Sequence, residues 1–218
     1  MTDTRSHDVL LVLSGHALPA ETAVMDGLTG AMESVGCREL HLLHVDEFQT
    51  ESFIWPLLLE FRIPGESDEK EKTRRAGELR SRLIAECDWL KHDDLKFLWL
   101  TQTGFGEEHD GASLITSLYS WSRENSPEER EKQMRIHFDM ERGERDYTTV
   151  HFNTTKGAEH FDNGSFDFVF QSYVDDPEGM NRIYSSSRLE EMREHSKGFL
   201  DTDTRRLGFG RVEIVKVS

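Results

Sequence analysis

Histidine placement is the feature of this 218-residue chain that comes nearest to naming a chemistry. Of its ten histidines, five carry Asp or Asn two positions later: His44/Asp46, His92/Asp94, His137/Asp139, His151/Asn153 and His160/Asp162. Asp and Asn together make up roughly a tenth of the residues, so chance supplies about one such pair. On a strand, residues two apart point to the same face. A carboxylate beside an imidazole there orients it as a general base, or joins it in binding a metal. In a partly dry pocket the pair also has a tuned pKa. The pairs 44/46, 137/139 and 151/153 fall on segments that read as strands. If those strands face one another, the imidazoles converge on one cavity. His137, His151 and His44 are then the candidate bases, in that order, with Asp139 as an orienting carboxylate. A solvated strand face shows the same alternation, and an acidic chain raises the number of coincidences, so a surface role stands beside the chemical one. His92/Asp94 lies in a helix-to-strand connection and reads as solvated.

Aromatic residues supply walls for such a cavity. Trp55, Trp99 and Phe168 sit on strand-like segments as candidate substrate contacts, and Tyr173 can offer a phenolic hydrogen bond. Ordinary core packing uses the same residues at the same spacing. Gly104-Phe-Gly106 lacks the spacing and the lysine of a phosphate-binding loop. Gly-x-Ser-x-Gly, His-Glu-x-x-His and Cys-x-x-Cys are missing, which argues against nucleotide chemistry, serine hydrolysis and zinc proteolysis. No metal ligand set is assigned and no cofactor is expected, with metal or haem as the alternative use of the same histidines.

The elements that must position these groups repeat. Val9–Ser14 reads as a strand, and 20–35 as a helix with Met25, Leu28, Met32 and Val35 on one face. Arg38–Phe48 and 53–63 read as a hairpin. On the first strand Leu40, Leu42 and His44 share one face, and His41, Leu43 and Val45 the other. The stretch 68–90 is the clearest helix, with a stripe of Ala76, Leu79, Leu83, Cys87 and Leu90, and 95–103 closes the unit as a strand. The order strand–helix–strand–strand–helix–strand is the ferredoxin-like plan.

The acidic loop 104–111 marks a boundary. Leu114, Ile115, Leu118 and Trp121 then predict a bridging helix, resuming after Ser126-Pro127, where Ser caps and Pro opens a helix. Arg135–Glu141 and Tyr147–Thr154 read as strands, since Ile136, Phe138 and Met140 alternate with His137 and Asp139. A strand at 166–174, a helix after Asp176-Pro177, a turn at Leu207-Gly-Phe-Gly210 and a last strand at 211–217 complete a second unit. A strand–helix–strand passage thus occurs near 55–100 and again near 166–217.

The 42 acidic against 26 basic residues give a net charge of −16, with no dense basic patch. Nucleic acid and anionic membranes are therefore excluded as main partners. Two cysteines, Cys37 and Cys87, make no disulfide framework and suggest core thiols in a reducing, cytoplasmic setting. The N-terminus lacks the apolar stretch of a signal peptide, and no apolar run reaches the ~18–20 residues of a membrane span.

The stretch 166–217 resembles the C-terminal half of stress-responsive and related dimeric α/β-barrel domains. The residues that carry the likeness are the strand Phe166-Asp-Phe-Val-Phe170, the bend Asp175-Asp-Pro-Glu-Gly179, the helix with Met180, Tyr184, Arg188, Leu189 and His195, and the final Val212-Glu-Ile-Val215. The resemblance implies an α+β protein. Two fused ferredoxin-like units, 1–104 and 105–218, would form a dimeric-type α/β barrel with antiparallel sheets, either within one chain or paired further as a homodimer. It also implies a small-molecule substrate, aromatic or polyketide-like, handled by proton transfer in the manner of cyclases or cofactor-independent monooxygenases. Haem-binding enzymes and non-catalytic stress or assembly proteins share the plan.

Overall fold

The computed structural model describes residues 5–48, 53–63, 68–90, 94–106, 109–142, 149–157, 161–164, 166–175 and 177–217. His92 and His160 lie outside these residues, so their pairs with Asp94 and Asp162 receive no structural account.

The first half runs β1 (Arg5–Ser14), α1 (Thr22–Ser34), β2 (Glu39–Phe48), β3 (Leu57–Ile63), α2 (Glu69–Glu86), β4 (Lys96–Phe105). The second half runs β5 (Ser113–Trp121), α3 (Pro127–Arg142), β6 (Thr149–Thr155), β7 (Phe168–Val174), α4 (Pro177–Tyr184), α5 (Ser187–Lys197), β8 (Leu200–Lys216). Each half places its strands in the same spatial order, β4-β1-β3-β2 and β8-β5-β7-β6. The two sheets join at the seams β2–β8 and β4–β6, and all eight pairings are antiparallel. The result is a closed barrel, which leaves no sheet edge to cover.

Strand alternation separates three cores. Leu10, Val12, Leu40, Leu42, Leu57, Leu59 and Trp99 point outward and meet Leu28 and Met32 of α1 and Leu79 and Leu83 of α2. Leu11, Leu43, Leu58, Leu100, Leu118, Val169 and Tyr173 point inward and fill the barrel. Ile115, Tyr119, Phe152, Phe168 and Phe170 point outward in the second half, toward the helix residues Ile183 and Met192.

Helix starts follow the capping chemistry. Asp68 accepts a hydrogen bond from the Glu71 amide at 2.9 Å, Ser126 from Glu129 at 3.2 Å and Ser186 from Leu189 at 3.1 Å. Both cysteines are buried free thiols, and burial pushes each up to about 11.

Three expectations need correction. The segment with Leu114, Ile115, Leu118 and Trp121 is strand β5, not a bridging helix. Its apolar positions fit a helical stripe, but both of its faces are buried, which removes strict alternation. Residues 135–141 belong to helix α3, not a strand. There His137 and Glu141 share a face one turn apart, which outweighs the local alternation of Ile136, Phe138 and Met140. Leu207–Gly210 lies inside β8 and is not a turn. At Gly210 an added Cβ would sit 1.7 Å from the His44 carbonyl oxygen, so glycine lets β2 and β8 meet at this seam.

Candidate active site

In the second half, the helices do not seal against the sheet. Between α3, α4 and α5 on one side and β5, β7 and β8 on the other lies a cavity of about 210 Å³. Its floor is Ile115, Tyr119, Phe168 and Phe170, and Ile183, Leu189 and Met192 roof it from the helices. His137 and Glu141 form one wall. Arg193 and Lys197 from α5 and Arg205 from β8 complete the lining.

Three titratable groups stand in line at that wall. The Nε2 of His137 is 3.4 Å from Oε1 of Glu141, one helical turn away. Its Nδ1 is 3.3 Å from Nδ1 of His195 on α5, and the two rings are within 11° of parallel. Two ring nitrogens at that distance share one proton, so one imidazole donates and the other accepts. Phe199 touches both rings, at centroid distances of 5.6 and 5.4 Å, and Phe152 lies edge-on to His137 at 6.2 Å. Burial pulls the His195 pKa down, and the neighbouring His137 adds to it, so His195 favours its neutral form. Neutral His195 can then accept the Nδ1 proton of His137, leaving the Nε2 and Glu141 side to face the cavity. This is the base-plus-orienting-group pattern of acid–base sites.

Tyr119 adds a donor. Burial pushes its phenol up, against the pull of Arg205 and a hydrogen bond with Ser117, so it stays protonated at neutral pH. The Arg205 guanidinium lies 5.8 Å from the Tyr119 ring centroid.

The other sequence candidates are dispersed. His151 points into the barrel, where its ring meets Tyr173 at 5.4 Å. An added Cβ on Gly104, opposite it in β4, would lie 2.5 Å from the imidazole, so glycine makes room for that ring. His44 is on the outer face and contacts Glu213 at 3.3 Å. Asp139 is exposed and borders a separate groove beside α3 with Met134 and Phe138. Trp55 plugs one end of the barrel against Phe53 and Phe166 and donates its indole N–H to the Asp94 carbonyl at 2.8 Å. Trp99 packs in the first half's outer core beneath Lys156, 4.7 Å from the ring centroid. The structure therefore brings His137 and Phe168 to one cavity and His151 and Tyr173 to another place. His44 shares neither, and the expected convergence of the three imidazoles does not occur.

Sequence reasoning missed Glu141 and Arg205, and named His195 only in the family likeness, not as a site residue. Once 127–142 is read as helical, the i, i+4 pair His137/Glu141 becomes visible. His195 comes from a different helix, and only the tertiary fold places it.

His151 belongs to a polar belt inside the barrel. Buried Glu60 accepts from Gln102 at 3.0 Å and from Gln171 at 3.1 Å, and Asn153 donates to Gln171 at 2.8 Å. His41, with Nε2 2.9 Å from Glu39, and Arg62 stand beside it at a polar mouth of about 250 Å³.

Among the described residues, no group of three or more His, Cys, Asp or Glu is arranged to hold a metal ion. The cavity beside His137 does not fit a haem. Its volume of about 210 Å³ falls short of a porphyrin macrocycle, which needs the upper part of the ~300–1,000 Å³ range of ligand pockets.

No protein-family model matches the chain, and no curated protein matches it. Solved structures do. A proposed monooxygenase from Lactobacillus acidophilus NCFM superposes with a TM-score of 0.58 at 10% identity, covering 98% of this chain and 97% of its own. A proposed monooxygenase from Fusobacterium nucleatum gives 0.56 at 9%, covering 97% and 94%. An anthrone oxidase-like protein gives 0.62 at 8%, covering 97% and 93%. This chain has the dimeric α/β-barrel fold. At these identities the likeness establishes the architecture, including the closed eight-stranded antiparallel barrel. Among the described residues, no helix is long and apolar enough to cross a membrane.

Proposed function

We propose that this protein is a small-molecule enzyme that moves a proton on an aromatic or polyketide-like substrate held in the second-half cavity. His137 is the base, Glu141 stands beside its Nε2, and His195 accepts from its Nδ1. The observation that carries the reading is this line of Glu141, His137 and His195 along the wall of an aromatic-floored cavity. His151, His44 and Asp139 have no part in it. The volume suits one or two fused rings.

The reaction type follows from what the site offers. His137 takes a proton from a C–H made acidic by a neighbouring carbonyl, and Tyr119 donates to the oxygen on which charge develops. The resulting carbanion can be reprotonated elsewhere, as in a cyclisation or isomerisation. In a monooxygenase-type reaction it gives its electrons to molecular oxygen. A CH₂ group plus O₂ then becomes C=O plus H₂O, through a hydroperoxide that loses water. Neither route needs a bound cofactor. The fold shared with an anthrone oxidase-like protein supports an activated aromatic ketone as the first substrate class to try. The two units, meeting near residue 105, act in this reading as one scaffold with one working cavity.

The test is solvent deuterium exchange into 2-tetralone, followed by NMR, with oxygen uptake measured in parallel. The wild-type protein accelerates exchange, and His137→Gln loses the acceleration while keeping its fold. Equal exchange by both proteins, or a visible absorption band with stoichiometric haem or metal in freshly purified protein, would overturn the reading.

A further inference from the structure

The lining of the His137 cavity runs against the charge of the whole molecule. The chain carries 42 acidic and 26 basic residues, yet the cavity is bordered by Arg193, Lys197 and Arg205 against a single carboxylate, Glu141. Glu141 is already committed to His137. Two of the cations have partners on their own helix: Arg193 is 3.9 Å from Glu190, and Lys197 pairs with Glu194. Arg205 differs from both. Among the described residues it has no carboxylate partner, its contact is with the Tyr119 ring at 5.8 Å, and its buried Nε makes no hydrogen bond. A guanidinium kept beside an apolar cavity without an anion is poised for one supplied by a ligand.

The rest of the cavity says what that ligand's body must be. Tyr119, Phe168 and Phe170 form an aromatic floor, with the Tyr119 and Phe168 rings tilted 38° to each other, and the small volume admits a compact ring system. The Tyr119 phenol is kept protonated and its ring lies 5.8 Å from the Arg205 guanidinium, so the cavity lining holds one neutral and one cationic donor side by side. We infer that the cavity selects planar one- or two-ring compounds carrying an ionised carboxylate or phenolate, with the anion seated on Arg205 and Tyr119. Arg193 and Lys197 strengthen the positive field around the site. This names the substrate class of the proposed site and rests on that reading for its chemistry, but not for its binding.

The experiment is calorimetric titration of the full chain with 1-hydroxy-2-naphthoate and with 2-naphthol, which has the same ring system and is neutral at pH 7. The anionic compound binds at least tenfold more tightly, and the advantage shrinks as salt rises. Arg205→Gln removes the advantage and leaves 2-naphthol binding unchanged, while Arg205→Lys restores part of it. His137→Gln preserves the preference even where it abolishes proton exchange, which separates this inference from the catalytic one. Equal affinity for the two compounds, or a preference that survives in Arg205→Gln, overturns it. Should Arg205→Gln fail to fold, the salt dependence and the Arg205→Lys affinity decide. An anionic preference that is insensitive to salt and unchanged in Arg205→Lys counts against the inference.

Discussion

The two halves share one order of elements and differ in what lies between helices and sheet. In the first half that space is solid. Leu28 and Met32 of α1 and Leu79 and Leu83 of α2 are fully buried against Leu10, Leu42, Leu59 and Trp99. In the second half the corresponding space holds a cavity, three cations and the line of Glu141, His137 and His195. Helix composition explains the difference. α1 presents Val24, Leu28, Ala31 and Met32 to its sheet, a continuous apolar stripe. The buried face of α3 includes His137 and Glu141, which cannot interdigitate like leucines and must find polar partners. One half of the barrel is thus packed with apolar side chains between helices and sheet, and the other leaves a cavity there.

The largest effect that would sharpen this contrast is on rate. His137→Gln lowers kcat/KM for an activated ketone by ~10²–10⁴-fold, as loss of a general base does, and leaves the urea midpoint nearly unchanged. Next comes stability. Leu83→Ala in the first half costs about 2–5 kcal/mol by urea denaturation, because it opens a void in a close-packed core. Met192→Ala, bordering an existing hollow, falls at the low end, about 2 kcal/mol, since the cost depends on how the site is already packed. Equal losses would erase the contrast.

Filling should separate the halves in the opposite sense. Ala76→Leu overpacks the first half and costs about 1–3 kcal/mol. Ser117→Leu grows into the second-half cavity, leaves stability within about 1 kcal/mol and abolishes naphthoate binding. Calorimetry and urea unfolding on the two variants check this pair.

The smallest effect is in pH dependence. The His195 pKa is held below its ordinary 6.5, chiefly by burial and then by His137. A lowered histidine contributes stability that is present above about pH 6.5 and lost as pH falls through the folded value. Glu39, in the first half, is held below its ordinary 4.5 by its hydrogen bond from His41 first, and by Arg62 against burial. Its contribution is present above about pH 4.5 and lost at lower pH still. Acid should therefore loosen the second half before the first. Amide exchange at pH 5 shows it as earlier loss of protection in α5 than in α2.

The first half is legible in the sequence because α2 carries one apolar stripe and its strands are short apolar runs bounded by turn residues. Helix 68–90 and the strands around 40, 60 and 98 were read with ends shifted by a few residues. The second half resisted for physical reasons. β5 is buried on both faces, so Leu114, Ile115, Leu118 and Trp121 mimic a helical stripe. α3 places Ile136 and Phe138 on opposite sides of His137, which mimics a strand. The candidate site suffered accordingly. His137 and Phe168 line the same cavity, but the residues beside His137 stand four positions away and on another helix, not two positions away where a strand would put them. His151 faces the barrel interior, opposite Gln171 in the register of β6 and β7 and beside Gln102 at the polar mouth.

The most direct test of one working cavity is methyl NMR on protein labelled at methionine, titrated with 1-hydroxy-2-naphthoate. Met192 lines the second-half cavity and Met32 lies in the first-half core. The account predicts a saturable shift of the Met192 methyl with Met32 unmoved. A ligand that shifts Met32 first, or leaves Met192 unmoved while binding, would contradict it.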